Sequence, residues 1–419
     1  MVQRWTRGIG WGALCLALVT VSPAVHSEIE SDLAGKMRST ILPPKLQASS
    51  WVLMDAATGA MLAGSNPNKP VEPASLTKLL TAFIVFREIQ RGSVSPEDEV
   101  VVSEKAWRSK GSRMFIEAGD KVRIDDLLMG LIVQSGNDAA VALAEYVAGS
   151  EVGFADLMNQ VAAELGMTNS HFTNSSGMPH PDHFSTAYDL TLLAQVIIRD
   201  QPEHYARYAI RDFTWNDITQ KNRNPLLGRD DSIDGIKTGY TRSAGYCLIG
   251  SAHRDGMRLI GSVMGAEGNR ERADAVYSLL RFGFAAYERH DLYLAKHKIV
   301  DARVFKGAVT SVEVGLADPI DLVLPKGAGK SLQATVQLTD PVVAPLEAGQ
   351  LLGTLTVQMD GADLLSRPLV TLHAVAEGTW FNRMADVVRL WFHRCRVVQI
   401  KTSQKRWNCS AFPVVSRSR

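Results

Sequence analysis

Cysteine is scarce. The chain of 419 residues holds four, Cys15, Cys247, Cys395 and Cys409, without framework spacing, which excludes a disulfide-stapled scaffold. No set of Cys, His, Asp and Glu recurs at metal-ligand spacing, so the sequence calls for no metal and no other cofactor. Charge of one sign is also missing: 45 Lys and Arg stand against 44 Asp and Glu, a formal net charge of +1. That balance excludes the broad basic field of a nucleic-acid binder and the acidity of a disordered chain. The apolar run near the N-terminus, Gly10–Val21, falls short of the about 20 residues that span a bilayer.

What precedes and follows that run is informative. Arg4 and Arg7 form a basic segment, and "SPAVHS" places Val25 and Ser27 around a cut before Glu28. Residues 1–27 are therefore expected to be an export signal, with an uncleaved anchor as the alternative. Leu14 is too large for lipid attachment at Cys15, and the mature protein is expected outside the cytoplasm. Cys247, in the apolar "AGYCLIGSA", reads as a small buried hydrophobe.

Patterning divides the rest. "SSWVLMDAATGAMLAGSN" predicts two strands around a turn, and "LTKLLTAFIVFREIQRG" a core helix stopped by Gly92. "IDDLLMGLIVQSGNDAAVALAEYVAGS" predicts two helices broken at "QSGN", the second capped by Asp138. Two more amphipathic helices follow, in "VGFADLMNQVAAELG" and "STAYDLTLLAQVIIRD". Then come strands in "SIDGIKTGYT", "AGYCLIGSA" and "MRLIGSVMG", and a helix in "ADAVYSLLRFGFAAYE". N- and C-terminal strands are expected to pair in one antiparallel sheet with a helical insertion, an α+β domain over residues 28–292. Residues 293–378 alternate in short segments between Gly, Pro and Asp turns and predict a small all-β sandwich.

Residues 379–396 predict an amphipathic helix: Trp380, Phe381, Met384, Val387, Val388 and Trp391 recur near helical spacing. From Trp380 to Arg419 nine Lys or Arg oppose one acid, Asp386. Such a helix suits an anionic membrane surface; packing on the β domain is the other reading. Residues 397–419 have no period and are expected to be disordered.

Three short strings carry the chemistry. "PASLTK" puts Ser75 and Lys78 three apart, one turn along one helix face. "QSGN" supplies Ser135 and Asn137, and "IKTGY" supplies Lys237, Thr238, Gly239 and Tyr240. A serine hydroxyl is a poor nucleophile near neutral pH, and a desolvated lysine crowded by a second cation can be its base. Lys237 is the expected second cation. The N–H of Ser75 and one near Tyr240 would hold the oxyanion. Ser135 can relay a proton to the leaving amine, Asn137 can bind a substrate amide, and Lys237 and Thr238 suit a carboxylate. Taken singly, each string has a bland reading as a turn, a cap or a solvated strand end; the three in this order do not.

In that order, S-x-x-K, S-x-N and K-T-G are the motifs of serine acyltransferases that bind penicillin. From Ser50 to Glu288, "KGSRMFIEAGDKV", "GLIVQSGNDAAVALAE", "MNQVAAELGMTNSHFTNSSGM", "QKNRNPLL" and "DGIKTGYTRSAGYCLIGSA" resemble the D-alanyl-D-alanine carboxypeptidases, low-molecular-mass penicillin-binding proteins. The β domain and the C-terminal helix are similar to that family too. The resemblance implies a β-lactamase/transpeptidase-like fold and trimming of peptidoglycan stem pentapeptides through an acyl-enzyme on Ser75. It also implies β-lactams as covalent inhibitors, and a protein held peripherally on the periplasmic face of the bacterial inner membrane. His183 and Arg272 match a histidine near the deacylation region and an arginine able to meet the terminal carboxylate, with structural roles as the alternative.

Two features depart from the family: Tyr240 stands where close relatives often have histidine, and the tail beyond Arg396 is longer than the anchor needs. A class A β-lactamase would need an E-x-x-L-N string, which is absent between Asn137 and Lys237. A transpeptidase or endopeptidase shares the motifs, and a non-enzymatic wall scaffold would not need them.

Overall fold

The computed structural model describes residues 41–394. The expected signal (1–27) and tail (397–419), with Cys15, Cys395 and Cys409, lie outside the described residues. Strands β1 (Ser50–Asp55) and β2 (Met61–Ser65) form the expected hairpin. Helices α1 (Lys78–Arg91), α2 (Ile124–Met129), α3 (Asn137–Ala148), α4 (Glu151–Glu164) and α5 (Ala187–Asp200) follow. The chain then returns through β3 (Ile233–Thr241), β4 (Gly245–Arg254) and β5 (Met257–Ala266) before α6 (Asn269–Ala286).

These strands make one antiparallel sheet in the order β2-β1-β5-β4-β3, closed by pairing of β1 with β5. Both faces are covered, which is why the strands read as continuous apolar runs. Val52, Met54, Ile249 and Ile260 point toward α1, α3 and α5. Leu53, Leu248, Leu259 and Val263 face Val276, Leu279 and Leu280 of α6. Successive residues of a strand point to opposite faces, so one run of apolar residues feeds two cores. Each fully buried aliphatic side chain there contributes about 2 kcal/mol.

The β domain follows without a linker. Strand β6 (Tyr287–Tyr293) starts at the residue after α6 and pairs with β9 (Ile320–Pro325). The expected boundary at 292/293 therefore falls inside a strand; the heptapeptide's periodicity is too short to separate it from the helix before it. Strands β7 (Lys298–Phe305), β8 (Ser311–Leu316), β10 (Leu332–Leu338), β11 (Val342–Val343), β12 (Leu351–Met359) and β13 (Ala362–Thr371) form a six-stranded sheet, ordered β10-β12-β13-β8-β7-β11. Arg289 knits the two parts together, donating to Gly256 O on the β4–β5 turn at 3.2 Å and to Asp321 of β9 at 2.6 Å.

Helix α7 (Trp380–Arg394) ends the described chain. Its Asp386 accepts from the Lys306 N–H at 2.7 Å and from Arg389 at 3.0 Å, while Trp380 (67%) and Phe381 (76%) are exposed. Among the described residues no helix is long and apolar enough to cross a membrane.

Candidate active site

Ser75 and Lys78 meet where a 3-10 turn, Ala74–Thr77, runs directly into α1. That tight turn keeps an i, i+3 pair aligned, and Lys78 Nζ lies 3.1 Å from Ser75 Oγ. Lys78 is 1% exposed. Its ammonium donors also reach Asn137 Oδ1 at 2.7 Å and Ser176 O at 2.6 Å. Burial drags its pKa down from 10.5 to about 7; Asp138 pulls it up and Arg223 pushes it further down. Burial outweighs the nearby carboxylate because that carboxylate is already spent on backbone donors. Asp138 accepts from the N–H groups of Met114 (3.0 Å), Phe115 (2.9 Å) and Ala139 (2.9 Å). It anchors the 114–115 segment, and the N-cap of α3 is Gly136, not Asp138.

Across the cleft, β3 brings Lys237, fully enclosed, with its Nζ on Thr238 O at 3.2 Å. Its pKa is held well below the usual lysine value by burial first and then by Lys78, Arg223 and Arg272. Four basic side chains, Lys78, Lys237, Arg223 and Arg272, therefore influence one another here. Lys237 is the expected second cation for Lys78; the neighbour that lowers Lys78 is instead Arg223, while Lys78 in turn lowers Lys237. Arg223 escaped the sequence reading; its string "QKNRNPLL" stood out only by resemblance. Its Nε is fixed on Gln134 O at 2.9 Å, beside the break between α2 and α3.

Ser135 takes a left-handed backbone (φ +66°) between a π-turn and Gly136, and its buried Oγ meets no partner among the described residues. A buried hydroxyl without a partner is costly, so it is poised to bond something that enters the cleft. Asn137 is fully engaged on one side: Oδ1 accepts from Lys78, and Nδ2 donates to Lys110 O at 2.5 Å. Its second amide proton points to the Met178 sulfur at 3.7 Å, a weak acceptor that a substrate carbonyl can replace.

Gly239 lets β3 close on the turn that carries Ser75: a Cβ there would lie 3.0 Å from Pro73 O. Tyr240, 53% exposed, lies tilted by 34° against its cross-strand partner Tyr246, ring centres 4.4 Å apart.

Two candidates sit behind the cleft. His183 is buried under the turn that carries Ser75: the Thr173 N–H donates to Nδ1 at 3.0 Å, so Nε2 carries the proton and donates to Thr77 Oγ1 at 2.8 Å. Burial holds its pKa down at about 4, so the ring is neutral. Arg272, on α6, spends its guanidinium on Gly239 O (2.9 Å), Cys247 O (3.2 Å) and Asn269 Oδ1 (2.6 Å). Both brace elements that carry the site. Among the described residues no cluster of three or more His, Cys, Asp and Glu could hold a metal ion.

An antiparallel sheet with a helical insertion, and a serine hooked to a buried lysine at its edge, define the class of penicillin-recognising serine enzymes. Residues 37–268 match the D-alanyl-D-alanine carboxypeptidase family (peptidase S11), and residues 287–377 match the penicillin-binding protein 5 C-terminal domain. The chain is 40% identical over 363 residues to D-alanyl-D-alanine carboxypeptidase DacC of Escherichia coli, covering 85% of this chain and 91% of the relative. It is 35% identical over 389 residues to DacA of the same organism, covering 91% and 95%. Penicillin-binding protein 5 from Haemophilus influenzae superimposes with a TM-score of 0.75 at 38% identity, over 80% of this chain and all of that one. Penicillin-binding protein D2 from Listeria monocytogenes, in its ampicillin-bound form, gives 0.54 at 30% identity over 57% of this chain and all of that one. The chain belongs to the D-alanyl-D-alanine carboxypeptidase family.

Proposed function

We propose that the protein is a serine-type D-alanyl-D-alanine carboxypeptidase that removes the terminal D-alanine from peptidoglycan stem pentapeptides. The observation that carries this reading is the 3.1 Å contact between Ser75 Oγ and a buried Lys78 whose pKa is lowered to about 7. Neutral Lys78 takes the hydroxyl proton as Ser75 attacks the carbonyl between the last two D-alanines. Backbone N–H groups at Ser75 and near Tyr240 hold the oxyanion. The C–N bond breaks, Ser135 passes a proton to the departing amine, and D-alanine leaves. Water then cleaves the ester, returning the proton to Ser75. The terminal carboxylate lies by Lys237 and Thr238, drawn by the excess of positive charge, and Asn137 holds an amide of the acyl chain. A β-lactam acylates the same hydroxyl, opening its ring instead of losing a leaving group.

The same reading places the protein on the periplasmic face of the inner membrane, with the exposed aromatics of α7 in the lipid interface and its basic residues toward anionic headgroups. Export by residues 1–27 belongs to it. The test has two parts. Intact-mass analysis after penicillin should show one adduct, mapped to Ser75 and lost in Ser75→Ala. A product assay on pentapeptide should show free D-alanine rather than cross-linked dimer, released far faster than β-lactam is cleared. Dimer as the main product would make the protein a transpeptidase, and rapid clearance a β-lactamase.

A further inference from the structure

The wall of the cleft opposite β3 is built by the segment Trp107–Phe115, "WRSKGSRMF". It is bolted to the site by its backbone. Lys110 O accepts from Asn137 Nδ2 at 2.5 Å, Ser112 O accepts from the Asn137 N–H at 2.7 Å, and the Met114 and Phe115 N–H groups end on Asp138. Arg113 O accepts from Gln220 at 3.2 Å, and a Cβ on Gly111 would stand 3.0 Å from Asn137 Nδ2. Three consecutive hydrogen bonds, Lys110 O to Asn137, Asn137 to Lys78 and Lys78 to Ser75, connect this segment to the nucleophile.

Some of its side chains are free for another purpose. Lys105 and Arg108 are paired with Glu151 and Glu104. Lys110 and Arg113 meet no carboxylate among the described residues. The Arg113 guanidinium lies 5.3 Å from the centre of the half-exposed Phe115 ring, and Phe115 itself holds a left-handed backbone (φ +70°). Backbone strain beside a site is retained where the surroundings impose it. A cation parked on an aromatic face is pre-ordered for an anion at little entropic cost.

We propose that Lys110 and Arg113 form a subsite for a carboxylate of the acyl-donor peptide, upstream of the bond cut at Ser75. This rests on the carboxypeptidase reading. With the terminal carboxylate at Lys237 and Thr238, residues preceding the scissile bond run past Asn137, toward the segment whose two cations meet no acid among the described residues. The recognised feature is a free carboxylate two or more residues upstream, the chemistry an isoglutamyl residue presents and its amide lacks.

The experiment compares D-alanine release from L-Ala-γ-D-Glu-L-Lys-D-Ala-D-Ala with release from the isoglutamine analogue. The free acid should be preferred in kcat/KM by about fivefold, the scale of one exposed charge contact, and added salt should shrink the preference. In Lys110→Gln/Arg113→Gln the preference should vanish while the amide substrate and the rate of penicillin acylation are unchanged. Arg113→Lys should restore part of it. Equal use of both peptides by the natural protein, or an equal fall on both in the double variant, overturns the subsite and leaves the carboxypeptidase standing. Failure to release D-alanine from either peptide, with a penicillin adduct still formed, overturns the carboxypeptidase reading and the subsite with it.

Discussion

At the scale of single residues, the chemistry turns on how far an amine can be stripped of water while it still touches a hydroxyl. Lys78 is lowered to about 7 because it is buried, and Arg223 adds to that while Asp138 opposes it. The proposed mechanism needs the neutral amine, so second-order acylation by a β-lactam should rise about tenfold per unit below about pH 6 and level off above about pH 8. Stability runs the same way: the unfolded chain holds the proton up to the ordinary lysine value, so folding is disfavoured below that range and gains as pH rises from about 7 toward 10.5. Arg223→Gln removes a repelling charge and should move the acylation midpoint upward. A profile flat from pH 5 to 9 in the natural protein would contradict the role given to Lys78.

At the scale of elements, the site is a junction of four pieces, and the least conspicuous is the loop Thr173–Met178. Ser175 O accepts from Thr81 at 2.6 Å and Ser176 O from Lys78, while Glu151 takes the Ser175 N–H and hydroxyl. Gly177 sits with φ +84°, and a Cβ there would come within 1.8 Å of Ala74 O, directly before Ser75. Gly177→Ala should therefore cut penicillin acylation at least about 100-fold while costing the fold about 1–3 kcal/mol, the scale of one strained backbone position. Acylation at the natural rate, followed by intact mass, would show that the loop does not set the turn. The sequence made the three motif strings and the strand pairing legible, because spacing within a helix and apolar runs are local signals. It did not reveal Arg223, the Ser176 carbonyl or the true partners of Asp138. Met114 and Phe115 lie 24 and 23 residues from Asp138, Ser176 lies 98 from Lys78 and Arg223 lies 145 from it, and only the folded register brings them near. His183 and Arg272 were legible as candidates, yet their place behind the cleft depends on which carbonyl or hydroxyl each meets.

At the scale of the whole molecule, the catalytic part, the β domain and α7 form a series. The apolar stripe of α7 was legible from its period, and Trp380, Phe381, Met384, Val387, Val388 and Trp391 are all exposed along the helix. Asp386 and Arg389 pair on the side that meets the β domain through Lys306. The full chain should cosediment with vesicles rich in anionic lipid, and a chain ending at Thr379 should remain in the supernatant. Equal sedimentation of both would remove the anchor from this reading.

Helix α6 passes into β6 with no intervening residue, and Arg289 clamps the joint from both sides. A hinge needs slack, and this one has none. If α7 rests on lipid as proposed, a β domain joined without slack would carry Ser75 at a set height, and stem peptides would then be trimmed at one depth of the wall.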